Sequence, residues 1–225
     1  KVERELKIWQ DAVWITEKAM PCEIVFAQGE LADKITELME ERAIDLIAMG
    51  TKGATGLKEV FVGSKTSWVM EKIPTPVIAV PAACEFSDIK KIVFATDYHD
   101  SDITSIQFAA KISRRFDAEL VVVHVANDDQ KPRLEDKLMQ YFVAEVKKSV
   151  IYEKMDFQLL EGKDIGKALN DFISKEKADL FAVSMQERIL IGPLFNRGLA
   201  KRFAHHIQTP LLCFHAYEMG DGYLF

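Results

Sequence analysis

The sequence predicts an α/β protein made of two tandem domains, each with a doubly wound parallel sheet. Short apolar segments with strand character alternate with segments of helical apolar spacing, a pattern typical of parallel strands joined by right-handed crossovers. The pattern also occurs twice. Asp45–Met49 resembles Asp179–Val183, and Thr75–Ile78 resembles Thr209–Leu212, in both cases 134 residues later. We therefore expect one domain in residues 1–84 and a second in residues 85–225.

The second copy contains every element of a doubly wound domain. Leu120–Val125 is a continuous, mostly β-branched run, typical of a strand buried on both faces. Ile103–Phe116 carries apolar residues at helical spacing. The predicted order is strand 91–96, turn 97–102, helix 103–116, strand 120–125, helix 134–149, strand 157–160, helix 165–174, strand 180–184, helix 198–206 and strand 211–215.

The first copy enters the same scheme late. Its predicted order is helix 2–18, strand 23–27, helix 31–42, strand 46–50, helix 64–72 and strand 77–80. By analogy with the second copy, a β-α-β unit should precede Val2. The first strand is central in a flavodoxin-like sheet, so its absence would leave a gap. We therefore expect the natural protein to be longer than this chain.

Composition and charge exclude several classes of protein. The net charge of -6 argues against general affinity for nucleic acid or for anionic membranes. No apolar run is long enough to cross a bilayer, and no signal peptide opens the chain. The three cysteines, Cys22, Cys84 and Cys213, are far apart and fit neither a disulfide framework nor a metal knuckle. These features predict a cytoplasmic protein.

One glycine-rich segment has the residues and the position of a phosphate site. Gly50-Thr51-Lys52-Gly53 follows a predicted strand, and Gly63-Ser64-Lys65-Thr66 opens a predicted helix. Glycines let an anion approach the backbone, and free amides at a helix N-terminus favour phosphate. The hydroxyls of Ser64 and Thr66 add donors, and Lys52 and Lys65 add positive charge. The alternative is a glycine-rich turn with a serine N-cap.

Two better-known phosphate motifs do not fit this segment. A Walker loop would need Gly-Lys-Ser/Thr, but Gly63 is followed by Ser64, and Lys58 stands where its first glycine would be. A dinucleotide fingerprint fails because its Gly-x-Gly doublet is absent. The segment is therefore either a different kind of phosphate-binding loop or no phosphate-binding loop.

The spacing Gly-x2-Gly-x9-Gly-Ser after an Asp-Leu-Ile-x-Met-Gly strand resembles the ATP-binding universal stress proteins. The Thr75-Pro76-Val77 entry to the last strand is also similar to that family. The resemblance implies an adenine-nucleotide alpha-hydrolase-like fold, a regulatory role in the stress response, and ATP, AMP or ADP as ligand, with Mg²⁺ accompanying ATP. The residues it assigns to the nucleotide are Met49, Gly50, Lys52, Gly53, Gly63, Ser64, Lys65 and Thr66.

The second copy departs from this pattern. Ser184, Glu187 and Arg197 stand at the glycine positions, so we expect no conventional ATP site there. The adenine-contacting aspartate of the family corresponds to Asp97, and the first copy displays no counterpart. Without a phosphate loop beside it, Asp97 is interpreted as a turn residue.

No catalytic residues and no metal site are predicted, and ATP hydrolysis would be weak at most because no water-activating base is evident. His99 with Asp97, Asp100 and Asp102 is interpreted as a solvated acidic turn. A nucleotide-free interaction scaffold remains an alternative. A nucleotidyl transferase would need a His-x-x-His-like loop after the first strand, which the second copy lacks. By the resemblance, the last strands, 77–80 and 211–215, would pair within the chain as a pseudo-dimer, or between chains in a homodimer.

Overall fold

The computed structural model of the chain describes residues 23, 25–51, 64–85, 87–126, 132–185 and 209–215. Within this part, seven strands and five helices follow one another. Their order is α1 (Leu31–Glu41), β1 (Ile47–Gly50), α2 (Ser64–Lys72), β2 (Val77–Val80), β3 (Lys91–Ala95), α3 (Asp100–Phe116), β4 (Glu119–Ala126), α4 (Pro132–Ser149), β5 (Met155–Glu161), α5 (Ile165–Glu176), β6 (Leu180–Met185) and β7 (Leu211–His215). None of these helices is long and apolar enough to cross a bilayer.

All seven strands form one sheet in the order β1-β2-β7-β6-β3-β4-β5. Within the second copy every strand pairing is parallel, and β3, its first strand, lies between β6 and β4. Counted inside that copy, the strand order is 3-2-1-4-5. The order reverses between β3 and β6, which makes their carboxyl ends the topological switch point of the second copy.

Helices cover both faces of the sheet, as a doubly wound fold requires. On one face, Val69 of α2 and Leu169 of α5 belong to one apolar cluster. On the other face, Ile106 of α3 and Phe142 of α4 belong to a second. This two-sided burial explains the continuous apolar strands of the second copy and confirms the predicted fold class.

The two copies meet through their last strands. β2 and β7 pair antiparallel, with Val77 opposite Cys213 and Ala79 opposite Leu211. Every other pairing in the sheet is parallel, so this antiparallel pair marks where one copy ends and the other begins. The predicted pairing of the last strands within the chain is therefore present.

The repeat is visible in individual hydrogen bonds. Thr75 Oγ1 donates to the carbonyl of Ile44 at 3.3 Å, and Thr209 Oγ1 donates to the carbonyl of Ala178 at 3.3 Å. The two threonines occupy equivalent positions in the repeat, and so do the two carbonyl groups that accept their hydrogen bonds. The threonine of each Thr-Pro segment thus ties the start of a last strand to the chain just before the preceding strand.

The strand predicted at 23–27 is wrong for the described residues 25–27, which belong to no strand or sheet. Phe26 is 63% exposed. In the second copy the corresponding strand, β5, pairs with β4 along its whole length. No described strand lies beside residues 25–27 in that way, so no ladder forms there. The helices predicted at 2–18 and 198–206 lie outside the described residues.

Candidate functional site

The candidate site begins where β1 ends and α2 starts. Thr66, 3% exposed, donates its hydroxyl to the carbonyl oxygen of Gly50 at 3.1 Å. This bond brings the first turn of α2 against the carboxyl end of β1. Helix N-termini carry unpaired amides and a positive dipole end, so the arrangement favours an anion at this point.

Gly50 is a glycine that the fold itself does not require. The amide of Ile47 donates to the carbonyl of Pro76, just before β2, and the amide of Thr51 donates to Val80 of β2. Because alternate residues of a strand face the same neighbour, the backbone groups of Gly50 face away from β2. Among the residues that the structure describes, no atom lies within 4 Å of where a Cβ on Gly50 would be, and the φ of Gly50 is not positive. Neither a strained turn nor tight packing explains the absence of a side chain. Open space beside the backbone is what a close-lying ligand would need.

A cleft of about 430 Å³ adjoins this turn. It lies between the start of α1 and the first turns of α2, and Lys65 and Trp68 form its α2 wall. The α1 wall carries the acidic residues Glu30 and Asp33. The positive charge is thus on the α2 side, so a phosphate chain would be favoured there and disfavoured against α1.

The structure describes five of the eight predicted site residues. Thr66 and Gly50 contact each other, and the exposed Lys65 lines the adjacent cleft. Ser64 is the first residue of α2. Met49 packs against the apolar cluster of one sheet face. Lys52, Gly53 and Gly63 lie outside the described residues.

The same position in the second copy is filled by a side chain. Ser184 stands in place of Gly50 and is 2% exposed, and its buried hydroxyl oxygen has no hydrogen-bond partner among the described residues. Residues 186–208, which contain the counterpart of the glycine loop, lie outside the described residues. At the described end of β6, the open space found at Gly50 is absent.

The acidic turn after β3 is solvated at His99 and Asp100, as predicted, but the prediction is wrong for Asp102. Asp102 is 2% exposed, and its Oδ2 accepts hydrogen bonds from Thr96 Oγ1 at 2.7 Å and from the amide of Asp97 at 3.2 Å. Burial, and next the negative charge of Asp97, raise the pKa of Asp102 to about 8. The carboxyl at the start of α3 therefore closes the turn from inside. The position of Asp102 in the sequence, shortly after β3, does not show that the turn folds over its side chain.

Two aromatic rings occupy the space beside this turn. Tyr98, with φ of 67°, stacks on His124 of β4 at a centroid distance of 4.0 Å and packs against Phe142. Nδ1 of His124 lies 2.8 Å from the carbonyl of Thr96, so that nitrogen carries the proton. Burial lowers the pKa of His124 despite the carboxylate of Glu135 at 3.4 Å.

The grouping of these polar side chains was not predicted. The cluster contains the buried Thr96, Asp102, His124 and Glu135 and the half-buried Asp97 and Tyr98. Its signals in the sequence are the acidic residues after the first strand and a histidine inside an otherwise apolar strand. Among the described residues, no three His, Cys, Asp or Glu side chains are grouped so that they could hold a metal ion. The cluster fills the carboxyl ends of β3 and β4 with side chains.

Comparison with known proteins gives a consistent result. The model of the Universal stress protein family matches residues 15–81 and 88–215. The universal stress protein YxiE of Bacillus subtilis (strain 168) is 36% identical over 64 residues, which are 28% of this chain and 43% of that protein. The chain thus spans less than half of this curated relative.

Solved structures resemble the whole chain in fold. A universal stress protein from Archaeoglobus fulgidus DSM 4304 superimposes with a TM-score of 0.73 at 16% identity, covering 96% of this chain and 78% of that one. A universal stress protein from Archaeoglobus fulgidus in complex with dAMP matches with a TM-score of 0.44 at 19% identity, covering 56% of this chain and 98% of that one.

Proposed function

The chain belongs to the universal stress protein family, and on this premise we propose that it is a regulatory protein of the stress response that binds an adenine nucleotide. The first copy holds the phosphates between the end of β1 and the start of α2. ATP is the proposed ligand, with AMP and ADP as alternatives and Mg²⁺ accompanying ATP. The second copy serves as a scaffold and binds no nucleotide in the same way.

The hydrogen bond from Thr66 to Gly50 carries this proposal. It brings a helix N-terminus to the carboxyl end of a parallel strand, where open α/β sheets bind their ligands. Ser64 precedes Thr66 by half a turn, and Lys65 stands between them with an exposed side chain. Backbone amides and an ammonium group are thus available to phosphate oxygens within one helical turn, whereas the hydroxyl of Thr66 donates to Gly50.

The open space at Gly50 favours a ligand over a merely structural loop. A glycine kept for a turn has a positive φ or lies against other atoms, as Gly29 does with φ of 135°. Gly50 has neither property. A substitution at Gly50 is therefore expected to act on ligand binding and not on folding.

The scaffold role of the second copy rests on the side chains at its switch point. Ser184 replaces the glycine, and Tyr98 and His124 stack over the ends of β3 and β4. A bound nucleotide there would have to displace buried rings and the carboxyl of Asp102, which costs several hydrogen bonds.

Binding of labelled ATP by equilibrium dialysis, with and without Mg²⁺, tests the proposal. We expect Gly50→Val to weaken ATP binding by at least tenfold, or about 1.4 kcal/mol, because its side chain enters the space of the ligand. Lys65→Ala should weaken it by roughly tenfold through loss of a charge-assisted hydrogen bond. Gly53→Glu should abolish it by placing a negative charge in the loop.

Two variants serve as matched controls. Ala48→Val places the same valine side chain in the same strand, two residues earlier, and Lys137→Ala removes an exposed lysine of α4. Both should bind ATP like the unaltered chain. Absence of uptake by the unaltered chain would refute the ligand. Equal ATP uptake by Gly50→Val and Ala48→Val would mean that ATP binds elsewhere in the chain and not at this loop.

A further inference from the structure

The helix of the candidate phosphate loop lies across the junction between the two copies. Val69 and Ile73, in and just after α2, share one apolar cluster with Val77 of β2 and with Leu211 and Cys213 of β7. The first copy thus supplies the helix and one strand beneath it, and the second copy supplies the other strand. The position of α2 depends on both.

A polar contact joins the same helix to the second copy. Nε2 of His215, the last residue of β7, lies 3.2 Å from the carbonyl oxygen of Glu71 in the last turn of α2. A carbonyl only accepts, so Nε2 of His215 carries the donated proton. The last carbonyls of a helix have no partner within the helix, and a donor there also meets the negative end of the dipole.

This contact has no equivalent in the opposite direction. The repeat offset places Pro81 where His215 stands in the second copy, and proline has no side-chain donor. His215 itself is buried, at 8% exposed. The second copy therefore anchors α2 of the first copy by a buried hydrogen bond. The first copy has no side-chain donor at the equivalent position.

We propose that His215 is a positioning residue for the nucleotide site of the first copy. Its hydrogen bond to Glu71 fixes the end of α2, and the packing on β2 and β7 fixes the middle. A nine-residue helix is a stiff rod of about 13 Å, so its first turn, with Ser64, Lys65 and Thr66, is fixed as well. This inference rests on the proposed function and adds that the site of one copy is aligned by the other.

Two substitutions at His215 separate the hydrogen bond from the packing. His215→Gln keeps an N–H donor at a similar reach, whereas His215→Leu keeps the volume and loses the donor. Amide hydrogen exchange over residues 67–73 reports the anchoring of α2, and calorimetric titration with ATP reports the site. We expect His215→Leu to speed exchange and weaken ATP binding, each by roughly fivefold to tenfold, the effect of one net hydrogen bond. His215→Gln should change neither by more than about twofold.

Each other outcome decides against the inference or against its premise. Unchanged exchange in His215→Leu overturns it, and so does faster exchange with unchanged ATP affinity. Equal losses in both variants would point to packing alone and also overturn it. If the unaltered chain takes up no ATP, the proposed function fails, and exchange alone then decides whether His215 anchors α2. His215→Asn, whose donor is too short to reach, replaces the leucine variant if that variant does not fold.

Discussion

At the scale of single residues, equal places in the two copies carry unequal chemistry. Gly50 leaves open space at the end of β1, and Ser184 buries a side chain at the end of β6. Asp102 closes the turn after β3 as a buried carboxyl that accepts two hydrogen bonds. Among the described residues, the first copy thus has room beside Gly50, and the second copy fills its carboxyl edge with polar groups.

Asp102 predicts a pH dependence of stability. Its pKa is about 8 in the folded protein and about 3.9 in an unfolded chain. The folded state thus binds more protons between these values, so the free energy of unfolding falls as pH rises from about 4 to about 8. Asp102→Asn keeps an oxygen acceptor and removes the titration. We expect its stability to decline less with pH, by at most about 1.4 kcal/mol per unit.

Urea unfolding at pH 5, 6, 7 and 8 measures this difference. The comparison of the two proteins isolates Asp102 together with the adjacent Asp97, because His124 and the remaining titrating groups are the same in both. Stability curves that run parallel over this range would mean that Asp102 is ionised in the fold.

At the scale of elements, β1 and β6 are copies of one strand in different surroundings. The amides of Ile47 and Phe181 donate to the carbonyls of Pro76 and Pro210, which hold the same place in each repeat. β6 also pairs with β3 on its other side. For β1, the described part of the chain contains no strand on that side. The same strand pattern therefore forms an inner strand once and an edge strand once.

This difference predicts a pattern of amide hydrogen exchange. The amides of Ala48 and Gly50 face away from β2, whereas that of Ile47 bonds to it. In the 225-residue chain we expect the first two to exchange at least tenfold faster than Ile47. Ala182, whose amide faces β3, should be protected like Phe181. Equal protection of Ala48 and Ile47, read by NMR, would show that another segment covers this edge.

At the scale of the whole molecule, the two copies share a sheet and an apolar cluster. Val77 and Cys213, from different copies, are paired across the junction and lie in that cluster with Val93 and Val183. Burial of this kind makes the stability of one copy depend on the other. We therefore expect the two copies to unfold as one unit.

Denaturant unfolding tests this coupling. All three tryptophans, Trp9, Trp14 and Trp68, lie in the first copy, so their fluorescence reports that copy, and far-UV circular dichroism reports the whole chain. We expect coincident transitions. Val77→Ala should lower the free energy of unfolding by about 1–3 kcal/mol in both signals. The exposed Val25→Ala, the same change outside the core, should shift neither. A shift confined to fluorescence would mean that the copies unfold separately.

Much of the fold was predictable because it depends on local pattern. Apolar strands, helical spacing and the repeat of Thr-Pro segments fix the type and order of the elements, and the structure confirms them for the described part of the second copy. The glycine spacing likewise identified Gly50, Ser64 and Thr66 as neighbours at a strand end. That these residues bind the phosphates of a nucleotide remains a prediction.

Tertiary structure alone decided whether each pattern found its partner. The segment 25–27 has strand character, yet it is not in a strand, because a ladder needs a second strand and a sequence specifies only one side of it. Asp102 reads as a solvated turn residue until the turn folds over it. From the sequence, His215 is only the last residue of a strand. In the folded chain, a helix of the other copy places a carbonyl group within hydrogen-bond distance of its ring. The sequence by itself determined which elements form, because propensity and periodicity are local. Burial and pairing between distant residues belong to the folded chain.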